Sequence, residues 1–145
     1  MPHLADLLVY SPAIGPQNAE RQRAEQLGIP QMPYNQMLGE LMKTRVGVSI
    51  TGTHGKSTTT AMVACLLRDG GFSPSAVIGA ELIGQTAISG WAGTSELFVV
   101  ESCEYQKNFL ALSPTHAVLT GIEADHFDYF HDLRETRDEI GRAHV

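Results

Sequence analysis

The sequence predicts an α/β protein with a mostly parallel sheet, and three observations carry that reading. Short apolar runs alternate with longer amphipathic ones, the order expected of βαβ units. One apolar run, VGVSI, leads directly into SITGTHGKSTTT, Ser49 to Thr60, where a helix is expected to begin. Two later apolar runs end in acidic clusters, as strands do when their carboxyl ends border a ligand site.

The first run, Leu7 to Tyr10, ends in the proline-bracketed turn SPAIGP. QNAERQRAEQLG follows, rich in helix formers and closed by Gly28 as a helix stop. Ile29 to Pro33 is expected to be a short extended piece. Asn35 to Thr44 is expected to be a helix with Met37, Leu38, Leu41 and Met42 on one face. Val46 to Ile50 has the apolar character of a buried strand. Ser57 to Asp69 is expected to be a third helix, with Met62, Val63, Leu66 and Leu67 facing the core. A glycine-rich connection runs from Gly79 to Gly93. Leu97 to Val100 and Ala117 to Ile122 are each expected to be central strands, and DLRETRDEI starts a charged, solvated helix.

Composition excludes several classes. The 145 residues carry a formal charge of -6, and the lysines are Lys43, Lys56 and Lys107, so no basic stripe is available to neutralise a nucleic-acid backbone. No apolar run approaches the roughly 18 residues that span a bilayer, and the N-terminus lacks the order of a secretory signal. The chain therefore reads as cytoplasmic, with neither nucleic acid nor membrane as a partner. Cys65 and Cys103 form no CxxC pair and no disulfide framework.

The stretch Gly52, Thr53, His54, Gly55, Lys56, Ser57, Thr58 is read as a phosphate-binding loop. Its glycines let successive N–H groups turn inward as an anion nest, and the following helix adds its positive end. Lys56 can reach terminal phosphates, and the Ser57 hydroxyl can ligate Mg²⁺. The pattern G-x-x-G-K-[ST] arises by chance in on the order of one in 200 chains of this length, so its place between strand and helix carries the inference. A bare glycine turn before a helix explains Ser57-Thr58-Thr59-Thr60 poorly, because serine and threonine are weak helix formers.

Two other strand ends add to this site. LFVV runs into Glu101, and AVLTGI runs into Glu123, Asp125 and His126. A strand-end carboxylate suits a Mg²⁺ shared between protein and nucleotide phosphates, and Glu101 is the candidate. His126 is a candidate ligand only in combination with the loop, since a lone histidine is more often a hydrogen-bonded structural residue. Cys103 reads as packing.

TGTHGKST, then VVESCEY and NFL, then IEADHFDYF, resemble in order and spacing the ATP-binding central domain of the Mur ligases. DLLVYSPAIGPQNAERQRAEQLGIP and QMLGELM resemble the end of that family's N-terminal, UDP-sugar-binding domain, so the likeness runs from about Asp6 to Thr136. His54 within GTHGK points to the branch that joins L-alanine to UDP-N-acetylmuramate, and leaves open the related branch that reattaches a recycled tripeptide. A P-loop ATP-binding module without ligase chemistry also remains open.

The resemblance implies ATP-dependent amide synthesis for peptidoglycan precursors. A muramoyl carboxylate attacks the γ-phosphate, and the amino group of L-alanine then displaces phosphate from the acyl phosphate. It also implies that Gly52 to Thr58 hold the phosphates of ATP and that Lys56 offsets developing charge. Ser57 and Glu101 hold one Mg²⁺, and His126 is catalytic through a second.

The expected layout is residues 1–45 as the end of the N-terminal domain and 46–138 as a partial central domain, the boundary falling near Lys43 to Val46. The family's sugar-nucleotide loop and C-terminal domain have no counterpart in the sequence, so the 145 residues alone are expected to be inactive. EIGRAHV, residues 139–145, resembles a translated sequencing adapter and is expected to be a non-native tail.

Overall fold

The computed structural model describes residues 5–82, 88–102 and 110–121. The expected helix in DLRETRDEI, the tail at 139–145, Cys103 and His126 lie outside the described residues.

The chain begins with β1 (Leu8–Tyr10), α1 (Ala19–Gln26) and β2 (Gln31–Pro33), and β1 pairs β2 in parallel with Leu8 opposite Gln31. Asn18 caps α1 by accepting from the N–H groups of Glu20 at 2.9 Å and Arg21 at 3.3 Å. Those donors have no partner inside the helix, so the cap satisfies them. Gly28, at φ 68°, ends the helix in the left-handed conformation expected of a glycine stop. Arg21 stacks 3.9 Å from the centre of the Tyr10 ring and donates to Gln31 Oε1 at 3.0 Å, tying α1 to both strands.

Helix α2 (Tyr34–Met42) leads to β3 (Val46–Thr51), the glycine loop and α3 (Lys56–Asp69). Then come β4 (Ser75–Val77), β5 (Gly90–Trp91), β6 (Leu97–Glu101) and β7 (His116–Leu119). These five strands form one sheet in the order β5-β4-β6-β3-β7, parallel except where β5 meets β4. The mostly parallel α/β architecture read from the sequence is the one observed.

Both faces of this sheet are covered, as a parallel sheet requires. Alternation along β6 divides the core in two. Phe98 and Val100 join Leu38, Met42 and Leu112 on the α2 face, while Val99 joins Ile50, Ala64 and Ala76 on the α3 face. Close approach is built into the first face: a Cβ on Gly47 would lie 2.5 Å from Met42 Cγ.

Four expectations need correction. Met62 and Leu66 do not face the core; they are 59% and 70% exposed, while Thr60 and Ala64 are fully buried. The helix lies against the sheet along its small residues, with Val63 and Leu67 packed at the side. Leu41 is exposed on α2, where Leu38 and Met42 supply the buried stripe. The run expected to be a central strand contributes β7, His116–Leu119, which lies at an end of the described sheet rather than at its centre, with most of it exposed. The connection from Gly79 to Gly93 contains β5, and β4 precedes it; both are too short to leave a period-2 signal.

Candidate functional site

Three parallel strands set the site. Ile50 of β3 is in register with Glu101 of β6, and Thr51 with Leu119 of β7, so the loop after β3 lies between the ends of its two neighbours. This is the carboxyl edge of the sheet, where open α/β sheets bind ligands.

The loop turns on two glycines. Gly52 has φ 135° and Gly55 φ 79°, both in a region that side chains disfavour. Gly55 is the N-cap of α3 and has no side chain to cap it, and the first turn contains no acid. The helix therefore opens with its positive end and its first N–H groups turned toward the loop.

The end of β7 braces this turn. Thr120 Oγ1 donates to Thr51 O at 3.2 Å and also to His54 O, and Thr53 N–H donates to Gly121 O at 2.9 Å. A Cβ on Gly52 would fall on Thr120 Oγ1 and lie 2.8 Å from Gly121 O.

The expected phosphate-binding residues lie together. Gly52 and Thr53 are buried, Lys56 and Ser57 are half-buried, and His54, Gly55 and Thr58 are exposed at the loop and first helical turn. The Lys56 ammonium donates to Gly52 O at 2.7 Å and Thr53 O at 3.1 Å, closing the turn on itself. Glu101, at the end of β6, accepts from Ser57 Oγ at 2.9 Å through Oε1 and from Gly79 N–H at 2.6 Å through Oε2.

A hydroxyl and a carboxylate oxygen converging beside this glycine loop are hard donors that fit Mg²⁺, an ion that takes one or two protein oxygens and completes its shell with phosphate and water. No group of three or more His, Cys, Asp or Glu residues suited to a metal occurs among the described residues. The candidate His126 lies outside the described residues, so the loop and Glu101 are the part of the expected constellation that the structure brings together.

A cavity of about 440 Å³ opens at Glu101, bordered by Tyr34, Leu38, Val77, Gly79 and Glu81. Burial raises the Tyr34 pKa above its ordinary value. A smaller cavity of about 120 Å³ also reaches Glu101 and is lined by Asn35 and Ser102. Asn35 Oδ1 and Ser102 Oγ are buried without a hydrogen-bond partner. A cavity of about 550 Å³ lies farther along the sheet, between α2 and β4–β5, and Glu101 does not line it.

Gly79 and Thr120 were missed by reading side chains in sequence. Gly79 acts through its N–H, which leaves no residue-type signal. Thr120 was legible only as a polar residue inside the apolar run Ala117 to Ile122.

Residues 50–141 match the family described as the Mur ligase middle domain, and residues 1–46 match that described as Mur ligase family, catalytic domain. A curated relative, the UDP-N-acetylmuramate–L-alanine ligase of Desulfitobacterium hafniense (strain Y51), is 45% identical over 131 residues. That alignment covers 89% of this chain and 28% of the relative, so the chain spans little more than a quarter of its length.

Among solved structures, the UDP-N-acetylmuramate-alanine ligase MurC of Thermotoga maritima matches 95% of this chain and 33% of its own, at 27% identity and a TM-score of 0.78. The UDP-N-acetylmuramate:L-alanyl-gamma-D-glutamyl-meso-diaminopimelate ligase of Neisseria meningitides matches 97% of this chain and 49% of its own, at 26% identity and a TM-score of 0.77.

Proposed function

The chain belongs to the Mur ligase family, and on that premise we propose that it carries the phosphate- and metal-binding part of a cytoplasmic, ATP-dependent enzyme that joins L-alanine to UDP-N-acetylmuramate. The observation that carries this reading is the meeting of Ser57 Oγ and Glu101 Oε1 at 2.9 Å, beside a loop whose helix start has no side-chain cap. One oxygen from the first turn of α3 and one from the end of β6 converge where the metal of a nucleotide complex would need them.

Gly52 to Thr58 surround the phosphates of ATP with backbone N–H groups. Lys56 exchanges its loop carbonyls for phosphate oxygens and offsets the charge that builds on them during transfer. Ser57 and Glu101 hold Mg²⁺, and His126, carried over from the family motif, holds a second. The metal supplies charge neutralisation and orientation of the transferring phosphoryl group. The brace from Thr120 keeps the nest preorganised, so that little reorganisation remains when the anion arrives. Transfer of the γ-phosphoryl group to the muramoyl carboxylate, with ADP leaving, and displacement of phosphate from the acyl phosphate by the amino group of L-alanine follow as the family resemblance implies. We extend the same reading to the layout, with residues 1–45 from the sugar-nucleotide domain and 46–138 from the central domain.

Assay of the full-length enzyme that contains this chain decides the activity. Phosphate release that requires both UDP-N-acetylmuramate and L-alanine supports the proposal, and ATP turnover independent of both marks an ATP-binding module of another kind. The likeness to the Neisseria enzyme favours a second reading, a ligase that takes a tripeptide instead. Preference for L-alanyl-γ-D-glutamyl-meso-diaminopimelate over L-alanine in the same assay would establish that reading and displace the first.

A further inference from the structure

We propose that Gly79 is the positioning residue for the Glu101 carboxylate, fixing it both by a hydrogen bond and by the absence of a side chain. The inference deepens the nucleotide reading of the site and rests on it.

Glu101 has two carboxylate oxygens with separate partners. Oε1 meets the Ser57 hydroxyl and Oε2 meets the Gly79 N–H at 2.6 Å. The second bond pins the carboxylate plane, so the first oxygen stays turned toward the loop. An N–H donor to a carboxylate is among the stronger hydrogen bonds a backbone can make.

Position 79 is itself held firmly. Val77 of β4 is in register with Val100 of β6, which places the residues following β4 alongside Glu101. Ile78 is 3% exposed, and its N–H donates to Ser89 O at 2.8 Å. The backbone N–H at 79 therefore projects from an anchored chain.

Space is the other half of the argument. A Cβ on Gly79 would lie 2.6 Å from each carboxylate oxygen of Glu101 and 2.7 Å from its Cδ, closer than real side chains approach. The backbone at Gly79 lies outside the left-handed region, unlike Gly52 and Gly55, so alanine is free of backbone strain there. The atoms it would strike form the far end of a flexible side chain. Glu101 would swing away from Ser57 while the fold stays intact. A methyl group at this position thus tests carboxylate placement separately from stability.

The experiment measures binding of a non-hydrolysable ATP analogue to the full-length enzyme that contains this chain by calorimetry, with and without Mg²⁺, for wild type, Gly79→Ala, Glu101→Gln and the double variant, with melting temperatures alongside. Gly79→Ala is expected to keep its melting temperature and its metal-free affinity. It is expected to lose about 10- to 100-fold of the Mg²⁺-dependent gain, as loss of a partner that orients a ligating carboxylate does. In the Glu101→Gln background the same change should add almost nothing, since both act on one group. Three results overturn the inference: a Mg²⁺ response like wild type, an equal loss with and without Mg²⁺, or additive losses in the double variant. Failure of the wild-type enzyme to bind the analogue would sink the nucleotide reading itself, and the role of Gly79 with it.

Discussion

Lys56 folds its ammonium onto the carbonyls of Gly52 and Thr53, so the cation read as a phosphate ligand also closes the loop on itself. Replacing it with methionine removes both contributions while keeping most of the apolar stem. Charge-assisted bonds of this kind are worth more than neutral ones. Lys56→Met is expected to weaken binding of the ATP analogue by roughly 10- to 100-fold, with Mg²⁺ dependence retained, since Ser57 and Glu101 stay in place. Calorimetry at fixed Mg²⁺ reads the loss, and unchanged affinity would remove Lys56 from the site. Tyr34 offers a test through pH. Its pKa is raised by burial, so the folded state keeps the phenol proton at pH values where the unfolded chain has lost it. Stability contributed by this residue is complete below the ordinary tyrosine pKa near 10 and falls as pH rises above it. Tyr34→Phe is expected to flatten the fall of urea stability above about pH 10 relative to wild type, and identical alkaline slopes would contradict it. Lys56, Ser57 and Glu101 were legible in the sequence because their chemistry lies in their side chains and their order matches a strand–loop–helix. Gly79 was not, because a backbone N–H belongs to every residue but proline.

The β3–loop–α3 element depends on two glycines for different reasons. At Gly55 the requirement is conformational, and an alanine held at φ 79° costs about 1–2 kcal/mol. At Gly52 the same kind of penalty is joined by collision with Thr120 Oγ1 and the Gly121 carbonyl, which brace the loop from β7. Gly52→Ala is therefore expected to destabilise the chain by more than Gly55→Ala and to abolish analogue binding, whereas Gly55→Ala weakens it. Urea unfolding and calorimetry on both variants check the order, and the reverse order would show that the Thr120 brace is not what constrains the turn. Element by element, β3, α3 and β6 were readable because apolar runs and a glycine loop mark them strongly. The inward face of α3 was misread because two stripes, Met62–Leu66 and Val63–Leu67, satisfy the same helical period. Packing chose the one flanked by Thr60 and Ala64, where small residues let the helix approach the sheet. β4 and β5, with three and two residues, are defined by their neighbours rather than by their own pattern.

At the scale of the molecule, the sequence places a boundary at Lys43 to Val46, and the two family matches change over between residues 46 and 50. The packing crosses it. Leu38 and Met42, from before the boundary, share a core with Phe98, Val100 and Leu112 from beyond it, and Met42 covers β3 at Gly47. The opposite face of the sheet holds Trp91, the single tryptophan, against the cluster of Ile50, Ala64, Ala76 and Val99. The two faces share β6, whose successive residues point into one cluster and then the other. Truncating Met42, 1% exposed, to alanine is expected to cost about 2–5 kcal/mol, the range for a buried large-to-small change. Because β6 links the clusters, the loss should appear at Trp91 as well. The midpoint followed by tryptophan fluorescence in urea should fall together with the midpoint followed by far-ultraviolet circular dichroism, as one cooperative transition. A Trp91 midpoint that stays at its wild-type value while helix signal is lost earlier would mean that α2 and the first strands unfold on their own. The boundary near residue 45 would then divide the stability of the chain as well as its sequence.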